Sequence, residues 1–245
     1  MIRSAVLEQL KASFPVIAPS MLKCDFGNLQ REIELLESAG ANVLHLDVMD
    51  GHFVPNLSYG PMVISRIRKL TKCVLDAHLM ISNPQQYLEE YRDAGCDAIT
   101  VHIEAVSDPL PVLKRIREMD LVAGLAINPR TPVEDIEPAF SACDLILVMS
   151  VEPGFGGQQF IPESLKKLRT VSQRVSAETI LSVDGGITSA TIGESAQAGA
   201  NLFVSGSSIF EASDYRTAME DMKNIALENS QKVNGDLLHE TGISG

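Results

Sequence analysis

The sequence predicts an α/β protein that folds as a single closed (β/α)8 TIM barrel, and two observations support this. Short runs rich in β-branched residues alternate with longer amphipathic segments, a pattern typical of βαβ units in a parallel sheet. Eight such runs follow one another at near-regular spacing, which favours a closed barrel over an open sheet. The predicted strands cover residues 16–19, 43–48, 73–78, 98–102, 122–127, 145–149, 179–183 and 202–204.

The barrel is expected to occupy residues 1–227 as one catalytic domain. The amino-terminal residues include Glu8 and lack a continuous apolar run, so they predict a short lead-in helix rather than a secretory signal. Residues 228–245 are polar and have no partner element, and we expect them to form a flexible or loosely docked tail without an assigned role.

Two segments between the strands show the helical period clearly. Residues 27–39 carry an apolar stripe formed by Leu29, Ile33 and Leu36. Residues 84–94 follow Ser82 and Asn83, which can cap a helix, and begin with a proline. Both segments are predicted to be helices on the outside of the barrel.

A motif of alanine, glycine, alanine or cysteine, and asparagine or aspartate recurs at residues 39–42, 94–97 and 198–201. Glycine adopts the left-handed conformation that ends many helices. The recurrence therefore predicts helix-to-strand turns at the bottom of the barrel, where a motif serves stability rather than chemistry.

Composition limits the classes of partner. The chain has 245 residues, of which 45% are hydrophobic, and a formal net charge of -12. An acidic protein is a poor ligand for nucleic acid or for an acidic membrane surface, so we expect neither as a partner. An anionic substrate would then have to be held by local groups.

Two further features concern the compartment. The longest uncharged stretch, residues 195–210, is interrupted by glycines and serines, so it predicts a buried strand and loop rather than a membrane span. The four cysteines show no paired spacing of the kind found in zinc or redox sites. A reducing, cytoplasmic location is expected.

Polar residues at the carboxyl ends of the predicted strands are the candidates for chemistry, because the active sites of such barrels lie there. Any one of them is most simply a hydrogen-bonded residue that closes the barrel. The candidates are Ser20, His45, Asp47, His78, His102 and Asp184.

Four of these candidates form a plausible metal site. His45 and Asp47 lie two residues apart on a strand and therefore share a face, while His78 and Asp184 end the third and seventh strands. Two imidazoles and two carboxylates suit one divalent transition metal, with zinc or iron(II) expected and manganese or cobalt also compatible.

Three methionines also lie at strand ends: Met49, Met80 and Met149. A methionine near a barrel mouth is usually core filler. Their position beside the proposed ligands predicts a soft, polarizable lining next to the reacting atoms.

Glycine loops follow the sixth, seventh and eighth strands, at residues 153–157, 184–186 and 205–208. Glycines let backbone N–H groups approach an anion closely, and barrels commonly bind phosphate in this corner. These loops contain no lysine or arginine, so backbone dipoles are expected to hold the phosphate. The binding residues predicted here are Gly154, Phe155, Gly156, Gly157, Gly185, Gly186, Gly206 and Ser207.

A metal, two carboxylates and a phosphate anchor together indicate one type of reaction. A metal that bridges a carbonyl and the adjacent hydroxyl of a sugar would acidify the neighbouring C–H bond and stabilise an enediolate. Asp47 and Asp184 could remove a proton from one face and return it on the other, which is epimerisation.

These segments resemble the ribulose-phosphate 3-epimerase family in sequence and in order. The most specific stretches are residues 45–56 (HLDVMDGHFVPN) and 151–158 (VEPGFGGQ). The other matching stretches are 17–22, 76–84, 101–105, 124–132, 183–187 and 204–210. The last glycine loop reads SGSS where the family more often has AGSA, a change that leaves the backbone donors in place.

The resemblance implies a TIM barrel of the ribulose-phosphate-binding type that interconverts D-ribulose 5-phosphate and D-xylulose 5-phosphate, in the pentose phosphate pathway and the Calvin cycle. It implies a metal held by His45, Asp47, His78 and Asp184, with Asp47 and Asp184 as the acid/base pair. By the same match Ser20 contacts substrate and the three methionines line the site. A homo-oligomer is expected by analogy alone.

Three alternatives remain open on the residues. The closest is an epimerase for a six-carbon ketose phosphate such as D-allulose 6-phosphate, which would use the same groups. A decarboxylase of the phosphate-binding barrels would use an Asp-x-Lys-x-x-Asp arrangement, whereas residues 47–50 (DVMD) contain no lysine. A non-catalytic sugar-phosphate sensor would leave the acid, base and metal positions without a use.

Overall fold

The computed structural model describes residues 2–240, and in it eight parallel strands form a barrel. Consecutive strands pair in parallel from the second to the eighth, and the eighth pairs with the first. A parallel bridge between Ser20 and His45 joins the first strand to the second and completes the circle. The strands are β1 Val16–Pro19, β2 Val43–Met49, β3 Val74–Met80, β4 Ala98–His102, β5 Val122–Ile127, β6 Leu145–Met149, β7 Ile180–Asp184 and β8 Leu202–Ser205.

The predicted barrel is confirmed, and each predicted strand lies within two residues of the observed one at both ends. The helices are α1 Arg3–Ala12, α2 Leu29–Ser38, α3 Pro61–Leu70, α4 Leu88–Asp93, α5 Pro109–Glu118, α6 Ser164–Arg174, α7 Ile192–Gln197, α8 Ser207–Phe210 and α9 Tyr215–Glu240. Between β5 and β6 the connection consists of two 3-10 segments, Val133–Asp135 and Glu137–Ala142.

Both predicted outer helices begin with a 3-10 turn. The segment predicted at 27–39 opens with Phe26–Asn28 before α2, whose Ile33 and Leu36 are fully buried. The segment predicted at 84–94 opens with Pro84–Gln86 before α4.

The side-chain cap predicted for that second segment is wrong. Asn83 makes no capping hydrogen bond, and the N–H of Ser82 donates to Asp50 Oδ2 at 2.8 Å. Ser82 therefore ties the loop after β3 to the loop after β2 instead of capping a helix.

The helix predicted at the amino terminus is observed as α1. At the other end, α9 continues through the boundary predicted at residue 227 and reaches Glu240. The proposed tail therefore begins within a helix, and its last residues, 241–245, lie outside the described part of the chain.

Side chains alternate between the inside and the outside of the barrel, as the strand period requires. The outward side chains pack against the helices in one large apolar cluster that includes Leu44, Leu46 and Leu75. The inward side chains of the lower half form a second apolar cluster that includes Val43, Val74 and Leu145. Polar inward residues are thereby left to the upper half, where the strands end.

The three glycine turns have the predicted conformation. Gly40, Gly95 and Gly199 have φ angles of 92°, 101° and 104°, in the left-handed region, and each follows a helix. The four cysteines are free and buried. Within residues 2–240, no helix combines the length and the apolar character needed to cross a bilayer.

Candidate active site

The structure brings four predicted residues together at the upper end of the barrel. His45 and Asp47 project inward from β2, His78 projects inward from β3, and Asp184 ends β7. One potential ligand atom from each residue lies within 4.8 Å of the others. Side chains alternate in direction along a strand, so His45 and Asp47 point to the same side of β2. Closure of the barrel brings Asp184, at the end of β7, close to them.

A buried carboxylate sets the orientation of His45. Its Nδ1 lies 2.8 Å from Asp76 Oδ2, while its Nε2 faces the cluster, 3.4 Å from Asp47 Oδ1 and 4.0 Å from Asp184 Oδ2. That Nε2 is buried without a hydrogen-bond partner. Because Asp76 accepts the Nδ1 proton, Nε2 is the nitrogen that faces the two carboxylates, and it offers its lone pair there when the ring is neutral.

A second buried relay sets the orientation of His78. His102 Nδ1 lies 3.1 Å from Glu104 Oε2, and His102 Nε2 lies 2.7 Å from His78 Nε2. Since Glu104 accepts the Nδ1 proton of His102, Nε2 of His102 accepts from His78 Nε2. The other ring nitrogen of His78, Nδ1, then presents its lone pair 3.1 Å from Asp47 Oδ1.

The relay continues to the outside of the barrel. Glu104 also accepts from the N–H of Asn128 at 2.9 Å and from the hydroxyl of Thr131. Lys167 of α6 donates to the carbonyl oxygens of the same connection, at residues 128, 129 and 131.

The sequence analysis included His102 among the polar strand-end candidates without a role and did not single out Asp76 or Glu104. Asp76 lies two residues before His78 on the same face of β3, so the strand period could have identified it. Glu104 lies after the strand, in the 3-10 turn Ile103–Ala105.

The two carboxylates of the cluster differ in their affinity for a proton. Burial would raise the pKa of Asp47, but the positive charge of His45 and its contact with the carboxylate outweigh burial and hold that pKa well below its ordinary value. Burial and the charge of Asp47 raise the pKa of Asp184 to about 7. The pair therefore contains one carboxylate that stays ionised and one that binds a proton readily, as acid and base roles require.

The same carboxylates favour a cation at the cluster. Burial lowers the pKa of His45, but Asp47 and Asp76 reverse this and raise it well above its ordinary value. Carboxylates that stabilise positive charge on an imidazole would also stabilise a metal ion in the same place. Burial lowers the pKa of His78 to about 4, against the opposite effect of Asp47, which keeps that imidazole in the neutral form that binds metals.

Ser20 holds the other oxygen of Asp47. Its hydroxyl donates to Asp47 Oδ2 at 2.5 Å, and its N–H donates to the carbonyl oxygen of Ser205 at 2.9 Å. The predicted contact of Ser20 with substrate stays a prediction, while its bond to Asp47 fixes one candidate acid/base group.

A cavity of about 370 Å³ opens above the cluster. His45 and His78 are fully buried beneath it. Most of the other predicted site residues line it: Ser20, Asp47, Met49, Met80, Gly154, Phe155, Gly156, Gly157, Asp184, Gly185, Gly186, Gly206 and Ser207.

The glycine loops need glycine for two separate reasons. Gly154, Gly157 and Gly185 have φ angles of 127°, 80° and 117°. At Gly186 (φ 64°), a Cβ atom would also lie 2.6 Å from the backbone nitrogen of Phe160. The loops after β6 and β7 therefore pack closely against neighbouring backbone where they line the cavity.

The methionines divide into two groups. Met49 and Met80 pack with Val54 in a small apolar cluster that Leu22 and Phe53 border, and the two methionines and Leu22 line the cavity. Met149 is buried in the inner apolar cluster of the barrel and does not line the cavity. Its role in lining the site stays a prediction.

Lys23 is among the cavity residues that the sequence prediction did not include. Lys23 follows β1 and lines the cavity beside Gly156, Gly157 and Gly206. Lys23 lies outside the loops after β6, β7 and β8, and closure of the barrel makes β1 the neighbour of β8 and brings the lysine to them.

Fold and site together define a (β/α)8-barrel enzyme that gathers two imidazoles and two carboxylates beside glycine loops suited to an anion. A profile of the ribulose-phosphate 3 epimerase family matches residues 16–210. The chain belongs to the ribulose-phosphate 3-epimerase family and is an epimerase, so the resemblance drawn from the motifs is confirmed.

Individual relatives support this assignment over most of their length. The chain is 45% identical to ribulose-phosphate 3-epimerase of Synechocystis sp., over 85% of this chain and 93% of that protein. It is 41% identical to ribulose-phosphate 3-epimerase of Bacillus subtilis, over 84% of this chain and 97% of that protein. It is 44% identical to the cytoplasmic isoform of ribulose-phosphate 3-epimerase of Oryza sativa subsp. japonica, over 88% of this chain and 95% of that protein.

Solved structures with low sequence identity share the fold. The 3-keto-L-gulonate-6-phosphate decarboxylase of Vibrio cholerae superposes with a TM-score of 0.66 at 15% identity, covering 88% of this chain and 99% of that chain. The 3-hexulose-6-phosphate synthase of Salmonella typhimurium superposes with a TM-score of 0.63 at 18% identity, covering 87% of this chain and 99% of that chain. At these identities the likeness concerns the barrel and not the reaction.

Proposed function

We propose that this epimerase interconverts D-ribulose 5-phosphate and D-xylulose 5-phosphate by two-base proton transfer at C3, with one divalent metal ion in the site. The observation that carries the proposal is the cluster in which Asp47 and Asp184 line the cavity beside two buried imidazoles, with one potential ligand atom of each residue within 4.8 Å of the others. The substrate follows from the names of the relatives, and the cavity with its glycine loops suits a small phosphorylated sugar.

The residues present fit a metal ion. His45 Nε2, His78 Nδ1 and one oxygen from each of Asp47 and Asp184 would hold it, and His45 Nε2 is buried with no hydrogen-bond partner among the described residues. When bound, the ion would supply Lewis-acid stabilisation of negative charge on the sugar oxygens. Zinc or iron(II) is the expected ion, and manganese or cobalt suits the same ligands.

Proton transfer is assigned to the two aspartates. Ionised Asp47 takes the proton from C3 of one epimer, and the electron pair of the broken C–H bond passes into the enediolate. Protonated Asp184 delivers its proton to the opposite face of C3, which forms the new C–H bond and leaves Asp184 ionised. The reverse reaction exchanges the two roles.

The other residues of the cavity bind and protect the substrate. The N–H groups of the loops at 154–157, 185–186 and 206–207 bind the phosphate. Met49 and Met80 cover the reacting carbon with apolar atoms and exclude water from it, so that protons exchange mainly with the two aspartates. We further propose that the enzyme acts in the cytoplasm, as the name of the rice relative suggests. A homo-oligomer stays a prediction.

Substitution of Asp184 by asparagine tests the mechanism. Asp184→Asn removes one of the two proton-transfer groups, so turnover of D-ribulose 5-phosphate should fall by about a factor of 10³ or more. Asp221→Asn, on the exposed surface of α9, makes the same chemical change away from the cavity and should retain full turnover. Near-normal turnover by Asp184→Asn would remove the residue from the mechanism.

Deuterium incorporation tests the site of proton transfer. During turnover in deuterated water the wild-type protein should place deuterium at C3, and product without deuterium at C3 would contradict an enediolate. Parallel assays with D-allulose 6-phosphate measure the choice of substrate. A clear preference for the six-carbon sugar would overturn the five-carbon assignment.

A further inference from the structure

Lys23 reaches into the corner of the cavity that the glycine loops form. It ends the 3-10 turn Met21–Lys23, which directly follows β1 and Ser20. Its side chain extends across two glycines: Cγ lies 3.2 Å from the point where a Cβ of Gly206 would be, and Cε lies 3.0 Å from the equivalent point of Gly156. A side chain at either glycine would therefore press on the path of the lysine.

The ammonium group lies at the third glycine of this corner. Nζ is 3.8 Å from the position of a Cβ on Gly157. Its nearest acid is Glu211, with Oε1 at 3.7 Å, which is longer than a hydrogen bond. The side chains of Lys23 and Glu211 are 35% and 70% exposed, so this ion pair is weak and holds the ammonium group only loosely.

Charge within the cavity makes this position significant. Among the described residues that line the cavity, Lys23 alone has a cationic side chain, whereas Asp47 and Asp184 are acidic. A phosphate dianion must therefore enter an acidic site in a chain of net charge -12. Peptide N–H groups supply partial charges only, and one ammonium group beside them would offset a full charge of the ligand.

We propose that Lys23 is a phosphate-binding residue of this enzyme, whose ammonium group leaves Glu211 and pairs with the phosphate group of the substrate. The proposal rests on the phosphate corner of the proposed function and adds a side-chain cation to its backbone donors. Glu211 acts as the alternative partner, which keeps Lys23 directed along the glycines when no phosphate is bound.

The test compares phosphate binding by variants at position 23. Lys23→Met keeps the aliphatic stem over Gly156 and Gly206 but removes the charge, and Lys23→Arg keeps the charge. Titration calorimetry with inorganic phosphate should show binding about tenfold weaker for Lys23→Met and close to wild type for Lys23→Arg. Lys72→Met, an equal change of charge on an exposed residue at the bottom of the barrel, should bind phosphate as the wild type does.

Kinetics give a second readout. Lys23→Met should raise KM for the ketose phosphate about tenfold and change kcat much less, since the phosphate is equally bound in the ground state and the transition state. Wild-type phosphate affinity and KM in Lys23→Met would overturn the proposal. Phosphate binding that depends on Lys23 in a protein without turnover of pentulose phosphates would refute the proposed function and leave this inference standing.

The role of Glu211 is tested by a double-mutant cycle. Glu211→Gln removes the competing partner and should strengthen phosphate binding about threefold when Lys23 is present. In the Lys23→Met background the same substitution should have a smaller effect. Equal effects in both backgrounds would show that Glu211 acts directly on the anion and not through Lys23.

Discussion

At the scale of single residues, buried hydrogen-bond partners set the orientation of the two imidazoles in the site. Asp76 holds one nitrogen of His45, and the relay through His102 holds one nitrogen of His78, so the remaining nitrogens face the same point. A partner that fixes the tautomer of a histidine ligand strengthens metal binding without touching the metal. Asp76 is therefore expected to act as a positioning residue.

Asp76→Asn tests this expectation. The amide accepts a hydrogen bond from His45 but lacks the charge of the carboxylate, so affinity for a divalent metal should fall by about 10- to 100-fold. Competition with a chromophoric chelator on metal-free protein measures the change. Asp93→Asn, on the exposed side of α4, serves as the control, and an unchanged affinity in Asp76→Asn would contradict a positioning role.

The sequence predicts those parts of the site that depend on one strand or on the shared end of parallel strands. It does not predict the parts that depend on contacts between residues far apart in the sequence. His45 and Asp47 follow from the strand period, and the shared end of parallel strands adds His78 and Asp184. The direction of each imidazole depends on contacts across strands, as between His45 and Asp76, 31 residues apart. Lys23 depends on closure of the barrel, which brings the turn after β1 to the loops after β6 and β8.

At the scale of elements, two helix-to-strand turns share one sequence motif and one backbone conformation but differ in how closely neighbouring side chains pack against the glycine. Gly40 and Gly199 have φ angles of 92° and 104°, so both need the freedom of glycine. A Cβ at Gly40 would meet nothing within 4 Å, whereas a Cβ at Gly199 would lie 2.4 Å from Ser172 Oγ. The sequence predicts the conformation of both turns, but only packing against α6 distinguishes them.

Alanine substitutions should separate these two requirements. Gly40→Ala carries only the cost of the left-handed conformation, about 1–2 kcal/mol of unfolding free energy. Gly199→Ala adds the contact with Ser172 and should lose about 1–3 kcal/mol more. Urea denaturation of both variants measures the difference. Equal losses would show that Ser172 moves aside without cost.

At the scale of the whole molecule, α1 binds across the bottom of the barrel. Arg3 of α1 and Arg117 of α5 both donate to the buried carboxylate of Asp144, which immediately precedes β6. The N–H of Ala123 in β5 donates to the same carboxylate at 3.0 Å. One residue thus joins two helices and two strands at the end opposite the cavity.

The pH dependence of stability should reflect Asp144. Burial would raise its pKa, but Arg3, the N–H of Ala123 and Arg117 outweigh burial and lower it below 3.8. A carboxylate with a lowered pKa in the folded state stabilises the protein fully above its unfolded pKa, and this contribution disappears as pH falls through the folded value.

Asp144→Asn should therefore lose about 3 kcal/mol of unfolding free energy at neutral pH, because two arginines lose their charged partner. The difference from wild type should narrow below about pH 4, where the carboxylate of the unfolded wild-type chain takes up a proton that the folded carboxylate still excludes. Urea denaturation across this pH range measures both effects. Glu178→Gln, which removes an exposed partner of Lys11, should change stability much less, and a gap for Asp144→Asn that stays constant with pH would contradict the account.

A series of polar contacts connects Lys167, on an outer helix, with His78 inside the barrel. Lys167 lies on an outer helix, yet it fixes the connection that supplies donors to Glu104, and Glu104 sets the proton position on His102. The protonation pattern of an interior imidazole is thus specified partly from the protein's periphery. The scaffold and the reaction centre share a continuous set of polar contacts, so a change of charge on the exterior of this barrel can alter its chemistry without altering its shape.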